Sequence, residues 1–125
     1  KNIPLYEVRP ITNLKDMLDS STRLYENKPA FLVKQQAGES YKPILYKQLK
    51  KDVDALGTIL ISLGLKGKRI AVISENRYEW AVSYLATVNG VGIIVPLDKE
   101  LPGNEIENLL IRSKANAVIF FINKL

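Results

Sequence analysis

The feature that most constrains this chain is a change of rhythm after Gly64. Residues 69–74, 91–97 and 117–122 are short runs dominated by Ile, Val, Ala and Leu, and the stretches between them carry apolar residues at helical spacing. The runs are too short to span a bilayer. A strand that is apolar on nearly every residue has no face to offer water, so it must be covered on both sides, as in a parallel sheet flanked by its own crossover helices. Strand, helix, strand, helix, strand therefore predicts three parallel strands with right-handed crossovers. The first crossover helix is expected to start at Asn76, with Glu79 completing a capping box, and to stop at Asn89 and Gly90. The second is expected to hold Pro102 in its first turn and to use Ile106, Leu109 and Leu110.

Upstream the pattern differs. Thr12 or Asn13 can cap a helix whose apolar residues are Leu14, Met17, Leu18, Leu24 and Tyr25, and Pro29 requires it to end near Asn27. Residues 30–36 and 41–46 read as a hairpin around the loop 37–40, with Pro43 placing its strand at an edge or a bulge. From Tyr46 to Leu63 comes a one-sided helix with Leu49, Val53, Leu56, Leu60 and Leu63 spaced alternately four and three apart, terminated by Gly64. The expected fold is α/β: a parallel sheet with flanking helices, resembling half of a flavodoxin-like βαβαβ array, plus an N-terminal helix and a β-hairpin. It forms a single domain over 1–125, divided into the helix (1–29), the hairpin (30–46), and the long helix with the βαβαβ unit (46–125).

Composition matters mainly for the chemistry it removes. With no His and no Cys, the chain lacks the usual general base, thiolate ligands and any disulfide. Its 46% hydrophobic and 25% charged residues suit a folded globular domain. Residues 1–10 do not read as a signal peptide, and a cytoplasmic protein is expected. The net charge of +5 is concentrated in residues 1–69, which hold 13 Lys and Arg against 7 acids. The densest groups are Lys47, Lys50, Lys51 and Lys66, Lys68, Arg69, and the expectation is a solvated surface without nucleic-acid binding.

A parallel α/β unit invites a nucleotide at the carboxyl ends of its strands. The turn after the first apolar run, Ser74, Glu75, Asn76 and Arg77, has none of the glycines a dinucleotide fingerprint needs, and Glu75 and Glu79 would repel a phosphate. Gly64 to Lys68 resembles a phosphate loop in composition but precedes its strand, so it reads as a helix stop and a turn. Asp52 with Asp54, and Glu105 with Glu107, are two apart on helices and read as solvent charges. Trp80, Tyr78 and Tyr84 share one helix with only Arg77 as a basic neighbour, which favours packing on the sheet over a base-stacking platform. No catalytic, cofactor-binding or metal-binding residue is assigned. If any position meets ligand, residues 74–76 and 96–98 are the topological candidates.

Taken in order, several blocks form a pattern. They are Leu14, Met17, Leu18; Asn27, Lys28, Pro29, Ala30; Tyr46, Lys47, Gln48, Leu49; Leu63 to Val72; Asn76, Arg77, Tyr78, Glu79, Trp80; Ala86; Gly90, Val91, Gly92; and Val95, Pro96, Leu97, followed by residues 105–115. This series resembles the amino-terminal region of the AMP-forming acyl-CoA synthetases, relatives of luciferase and of peptide-synthetase adenylation domains. The Asn-Arg-Tyr-Glu-Trp block is most similar to the long-chain fatty acid branch. The chain departs from the pattern at Leu45, where the family usually has Ser or Thr, and at Lys68, where it usually has an acid.

The resemblance implies a parent enzyme that joins a carboxylic acid to coenzyme A at the expense of ATP, with Mg²⁺ present. It also implies a phosphate loop rich in Ser, Thr and Gly, lying outside this chain. The fragment itself is then a scaffold, without a cofactor of its own and inactive alone, whose partner is the remainder of the same polypeptide. The residues leave a second reading open, a free-standing α/β binding module without catalysis.

Overall fold

A computed structural model describes residues 2–121. Helix α1 (Leu14–Tyr25) is capped by Asn13, whose side chain accepts a hydrogen bond from the Asp16 N–H at 2.8 Å. Asp16 in turn accepts from the Thr12 N–H at 3.1 Å, which ties the residue before the cap to the first turn. The helix stops at Tyr25, two residues before the expected end. Only Leu18 of its apolar residues is buried, while Leu14 and Leu24 lie exposed.

The hairpin is formed by β1 (Pro29–Val33) and β2 (Lys42–Leu45), an antiparallel pair shorter than the sequence suggests. Pro43 sits opposite Leu32, and the irregularity falls between Pro29 and Phe31 rather than at Pro43. Helix α2 (Tyr46–Ser62) buries Leu49, Val53 and Leu60. Leu63, which continues the heptad-like spacing, is 68% exposed because the helix ends on it. Gly64, at φ 81°, then closes the end: its N–H donates to Ile61 O, and the Leu65 N–H donates to Leu60 O. That Schellman arrangement is the one a glycine at this place favours.

Strands β3 (Arg69–Ile73), β4 (Ile93–Leu97) and β5 (Ala117–Phe120) form a parallel sheet in the order β4-β3-β5, as the apolar runs predict. The two helices that connect these strands are α3 (Tyr78–Val88) and α4 (Gly103–Ser113). Central β3 is closed off on both faces, with Ile70, Ala71 and Val72 fully buried. The run expected to begin at Val91 begins at Ile93; Val91 is buried in the preceding turn, where its N–H donates to Thr87 O. The strand expected over 117–122 is seen to Phe120, and Ile122 lies outside the described residues.

Two cap expectations are overturned. Arg77, not Asn76, occupies the cap position of α3, no side chain caps it, and Glu79 falls one place too early to close a capping box. Pro102 is the cap of α4 rather than a residue of its first turn.

The core has two connected parts. Leu18, Leu49, Val53, Val82 and Ala86 join α1, α2 and α3 beneath the hairpin, while Leu60, Ile70 and Val91 join α2 to the sheet, with Leu56 touching both groups. Ile119 of β5 packs against the second group, so the residues that share its face of the sheet point toward α2. The right-handed crossover rule places α4 on the other face. That side is thinly covered, since α4 has no buried residue. The start of β3 is tied to the α4–β5 turn: the Arg69 N–H donates to Asn116 Oδ1 (3.0 Å), Arg69 Nη1 to Ser113 O (2.9 Å), and the Asn116 N–H to Arg69 O (2.7 Å). No helix among the described residues is long and apolar enough to cross a membrane.

Candidate functional site

The carboxyl ends of the three parallel strands bring Glu75, Lys99 and Phe121 to one end of the sheet, with Arg77 among them. Arg77 Nε donates to Glu79 Oε2 at 2.8 Å, and its Nη1 lies 3.9 Å from Glu75 Oε1. Lys99, reached after β4, donates to the other oxygen of Glu75 at 3.0 Å and lies 3.7 Å from Glu100. The Arg77 guanidinium also sits 5.1 Å from the centre of the Phe121 ring, just beyond β5. The chain of charges thus links the β3–α3 turn to the β4–α4 turn and to the end of β5.

These ion pairs move the titration of their members. The hydrogen bond from Arg77 to Glu79 holds the guanidinium above its ordinary range. Partial burial pushes the Glu79 carboxyl up, but Arg77 and the residue's own backbone N–H outweigh that and hold it below the ordinary glutamate value. Lys99 is raised by its hydrogen bond to Glu75. Arg77 and Lys99 therefore each already have a carboxylate partner.

Beside this cluster lies an open groove of about 1000 Å³ between the hairpin and the start of α3. Phe31, Leu32 and Lys34 line one wall, and Arg77, Tyr78 and Trp80 the other. Tyr78 is held from below: its ring meets Phe31 edge-on at 5.2 Å, and its hydroxyl donates to Asp52 Oδ2 at 2.6 Å. Burial first, and then the Asp52 hydrogen bond, push the Tyr78 hydroxyl well above the usual phenol range.

Asp52 is thus more than a solvent charge. It joins α2 to α3 and accepts a second bond from Gln48 Nε2 at 2.7 Å. Spacing along one helix could not show this, since the partner is 26 residues away. Of the three aromatics expected on the sheet, only Tyr78 packs against the buried core. Trp80 and Tyr84 stack on each other, with centroids 5.3 Å apart.

The two basic groups noted in the sequence do not merge into one surface. Lys47, Lys50 and Lys51 lie at the amino end of α2, and Lys66, Lys68 and Arg69 beyond its carboxyl end; the 17 residues between those ends span roughly 25 Å. Lys50 pairs with Asp19 and Asp54, Lys66 donates to Gly90 O, and Arg69 is engaged by the α4–β5 turn.

The β3–α3 turn has no glycine to let backbone amides close on phosphate, two acids flank the α3 amino end, and Arg77 and Lys99 are neutralised in place. No cluster of three potential metal ligands occurs among the described residues.

Comparison with known proteins sets this scaffold in context. Fatty acyl-CoA synthetase A of Dictyostelium discoideum is 38% identical over 80 residues, covering 63% of this chain and 12% of that protein. The mitochondrial medium-chain acyl-CoA ligase ACSF2 of Rattus norvegicus is 27% identical over 106 residues, covering 84% of this chain and 17% of that protein. The chain thus spans less than a fifth of the length of these curated relatives. The solved N-terminal subdomain of Klebsiella oxytoca NpsA superposes with a TM-score of 0.75 at 21% identity, over 89% of this chain and 28% of that one, which shows a shared fold. The model of the AMP-binding enzyme family matches residues 18–124, nearly the whole chain, and the chain belongs to that family as part of its amino-terminal region.

Proposed function

We propose that this chain is the opening scaffold of an ATP-dependent acyl-CoA ligase acting on a fatty carboxylate. The observation that carries the reading is the family match over residues 18–124 together with acyl-CoA synthetases among the relatives. A carboxylate is a poor acyl donor because its leaving group would be an oxide. In the proposed reaction a carboxylate oxygen attacks the α-phosphorus of ATP and pyrophosphate leaves. The coenzyme A thiol then attacks the acyl carbon and AMP departs. In this proposal the nucleotide and Mg²⁺ are held by the rest of the polypeptide, and residues 1–125 supply framework; the glycine-free turn 74–77 and the lack of a cluster of three potential metal ligands among the described residues support that division. The charge cluster from Glu75 to Lys99 then serves to hold the strand ends together.

The intact polypeptide is expected to catalyse carboxylate-dependent exchange of pyrophosphate into ATP, and to release AMP when coenzyme A is added. Residues 1–125 alone, titrated calorimetrically with ATP, AMP and coenzyme A, are expected to give no binding heat. An intact protein silent toward a panel of short, medium and long fatty acids would overturn the ligase reading. Binding heat from the isolated chain would favour a free-standing binding module instead. The proposal places the protein in the cytoplasm. A fluorescent fusion of the intact protein that co-localises with mitochondria, as the name of the rat relative would suggest, would correct that part alone.

A further inference from the structure

The net charge of +5 has one source. Residues 23–51 hold seven Lys and Arg against two acids, and the remaining residues carry as many Lys and Arg as acids. Within that stretch the fold gathers Arg23, Lys28, Lys47 and Lys51 where α1 ends and α2 begins. The Lys28 N–H donates to Tyr25 O, the Tyr46 N–H to Lys28 O and the Lys47 N–H to Glu26 O, so the two helix ends are joined. Lys28 Nζ lies 5.5 Å from the centre of the Tyr25 ring, which tilts against Tyr46 at 5.8 Å. Lys47 and Lys51 are one turn apart on the side of α2 away from the buried Leu49. All four cations are exposed, none is in an ion pair among the described residues, and Glu26 is the one acid beside them in sequence. The segment before α1 supplies an apolar part. Residues 2–11, with prolines at 4 and 10, form no helix or strand, and among the described residues no backbone hydrogen bond ties them to another element. Ile3, Leu5, Tyr6 and Val8 are each at least 80% exposed. Arg9 fastens this arm to α1 by donating to Ser21 Oγ. Ser21 is one turn before Leu24 and Tyr25 on the same face of the helix, and Leu24 is also exposed.

From this juxtaposition we infer that the arm, the end of α1 and the start of α2 form a docking surface for a membrane that carries anionic lipid. The inference goes beyond the ligase reading and does not rest on it. A bilayer interface is the partner that uses both parts of the surface. Apolar side chains of the arm enter the acyl boundary, Tyr6 and Tyr25 sit at the level of the headgroups, and the Lys stems reach out to the lipid phosphates. Each part binds weakly by itself, and the two add. Nucleic acid would answer the charge but has no use for Ile3, Leu5 and Val8, because aliphatic side chains offer the bases no stacking surface. A protein partner fits less well, since the cores of protein interfaces are poor in Lys.

Co-sedimentation of the intact polypeptide with lipid vesicles tests this. It is expected to bind vesicles of mixed phosphatidylcholine and phosphatidylglycerol, to bind pure phosphatidylcholine far more weakly, and to leave the anionic vesicles as salt is raised. Lys47→Gln combined with Lys51→Gln should weaken binding about thirtyfold. Lys66→Gln combined with Lys68→Gln, beyond the far end of α2, should leave it unchanged. Leu5→Ser combined with Val8→Ser should weaken binding without lowering the melting temperature measured in the absence of lipid. Equal losses from the two lysine pairs, or equal binding to neutral and anionic vesicles, would overturn the inference. So would arm substitutions that lower the melting temperature and spare vesicle binding, because the arm would then pack against the rest of the polypeptide. Binding of mixed RNA as tight as that of the anionic vesicles would overturn it as well, since the surface would then read phosphate alone. Pyrophosphate exchange on the same sample reports separately on the ligase reading: vesicle binding without exchange would leave the docking surface standing, and exchange without vesicle binding would remove it alone.

Discussion

Gly92 shows how one atom can decide a residue. A Cβ there would stand 2.1 Å from the carbonyl oxygen of Lys68, which already accepts the Ile93 N–H at 2.9 Å, so neither backbone can give way cheaply. Gly92→Ala is expected to cost about 2–4 kcal/mol in a denaturant melt, while Gly103→Ala, with open space around it, should change stability by less than about 0.5 kcal/mol. Equal effects at the two glycines would show the close approach to be wrong. Glu79 gives a residue-scale pH dependence. Its folded pKa lies below the ordinary value, so its contribution is present above about pH 4.3 and fades as pH falls through the depressed folded value. Its side chain is 48% exposed, which keeps the effect well under about 1 kcal/mol. Glu79→Gln should therefore lower stability slightly at pH 7 and match the unsubstituted chain at pH 2, as read from paired urea melts.

Elements follow from periodicity, whereas their ends follow from local chemistry and from neighbours. The spacing of Leu49, Val53, Leu56, Leu60 and Leu63 identifies α2 and its inner face, and Gly64 marks its stop. Yet the last position of that pattern faces water, because the chain turns away there before reaching the sheet. Leu49→Ala is expected to cost about 2–5 kcal/mol and Leu63→Ala less than about 0.5 kcal/mol, measured by thermal or chemical unfolding. A large loss at Leu63 would mean that the face extends a turn further than the structure shows. The start of α3 was less legible. Asn76 and Glu79 have the right spacing for a capping box, but the helix starts one residue later, with Arg77 at the cap, which leaves Glu79 out of register for the box and paired with Arg77 instead.

At the scale of the whole molecule, the sheet is well covered on the α2 face and thinly covered, toward its edge strands, on the α4 face. Ile93 (54% exposed), Phe120 (62%) and Ile111 of α4 (67%) leave apolar surface on a part that spans less than a fifth of its curated relatives. Residues 1–125 alone are expected to self-associate with rising concentration in sedimentation experiments, and Phe120→Lys to reduce that association without lowering the melting temperature. A strictly monomeric chain at high concentration would contradict this. The α/β class, the three parallel strands, the hairpin and the amphipathic α2 could all be read from the sequence, because runs of apolar residues, helical spacing and turn residues are local signals. What the sequence could not show depends on residues far apart meeting in space: the Tyr78 to Asp52 bond, the clamp from Glu75 through Arg77 to Phe121, and the groove beside β1. The sequence by itself determined which segments are strands and helices, since that choice is made within a few residues. Only the tertiary structure decided which polar groups meet and which apolar faces stay uncovered, since those depend on the order of strands in the sheet and on the layers packed against it.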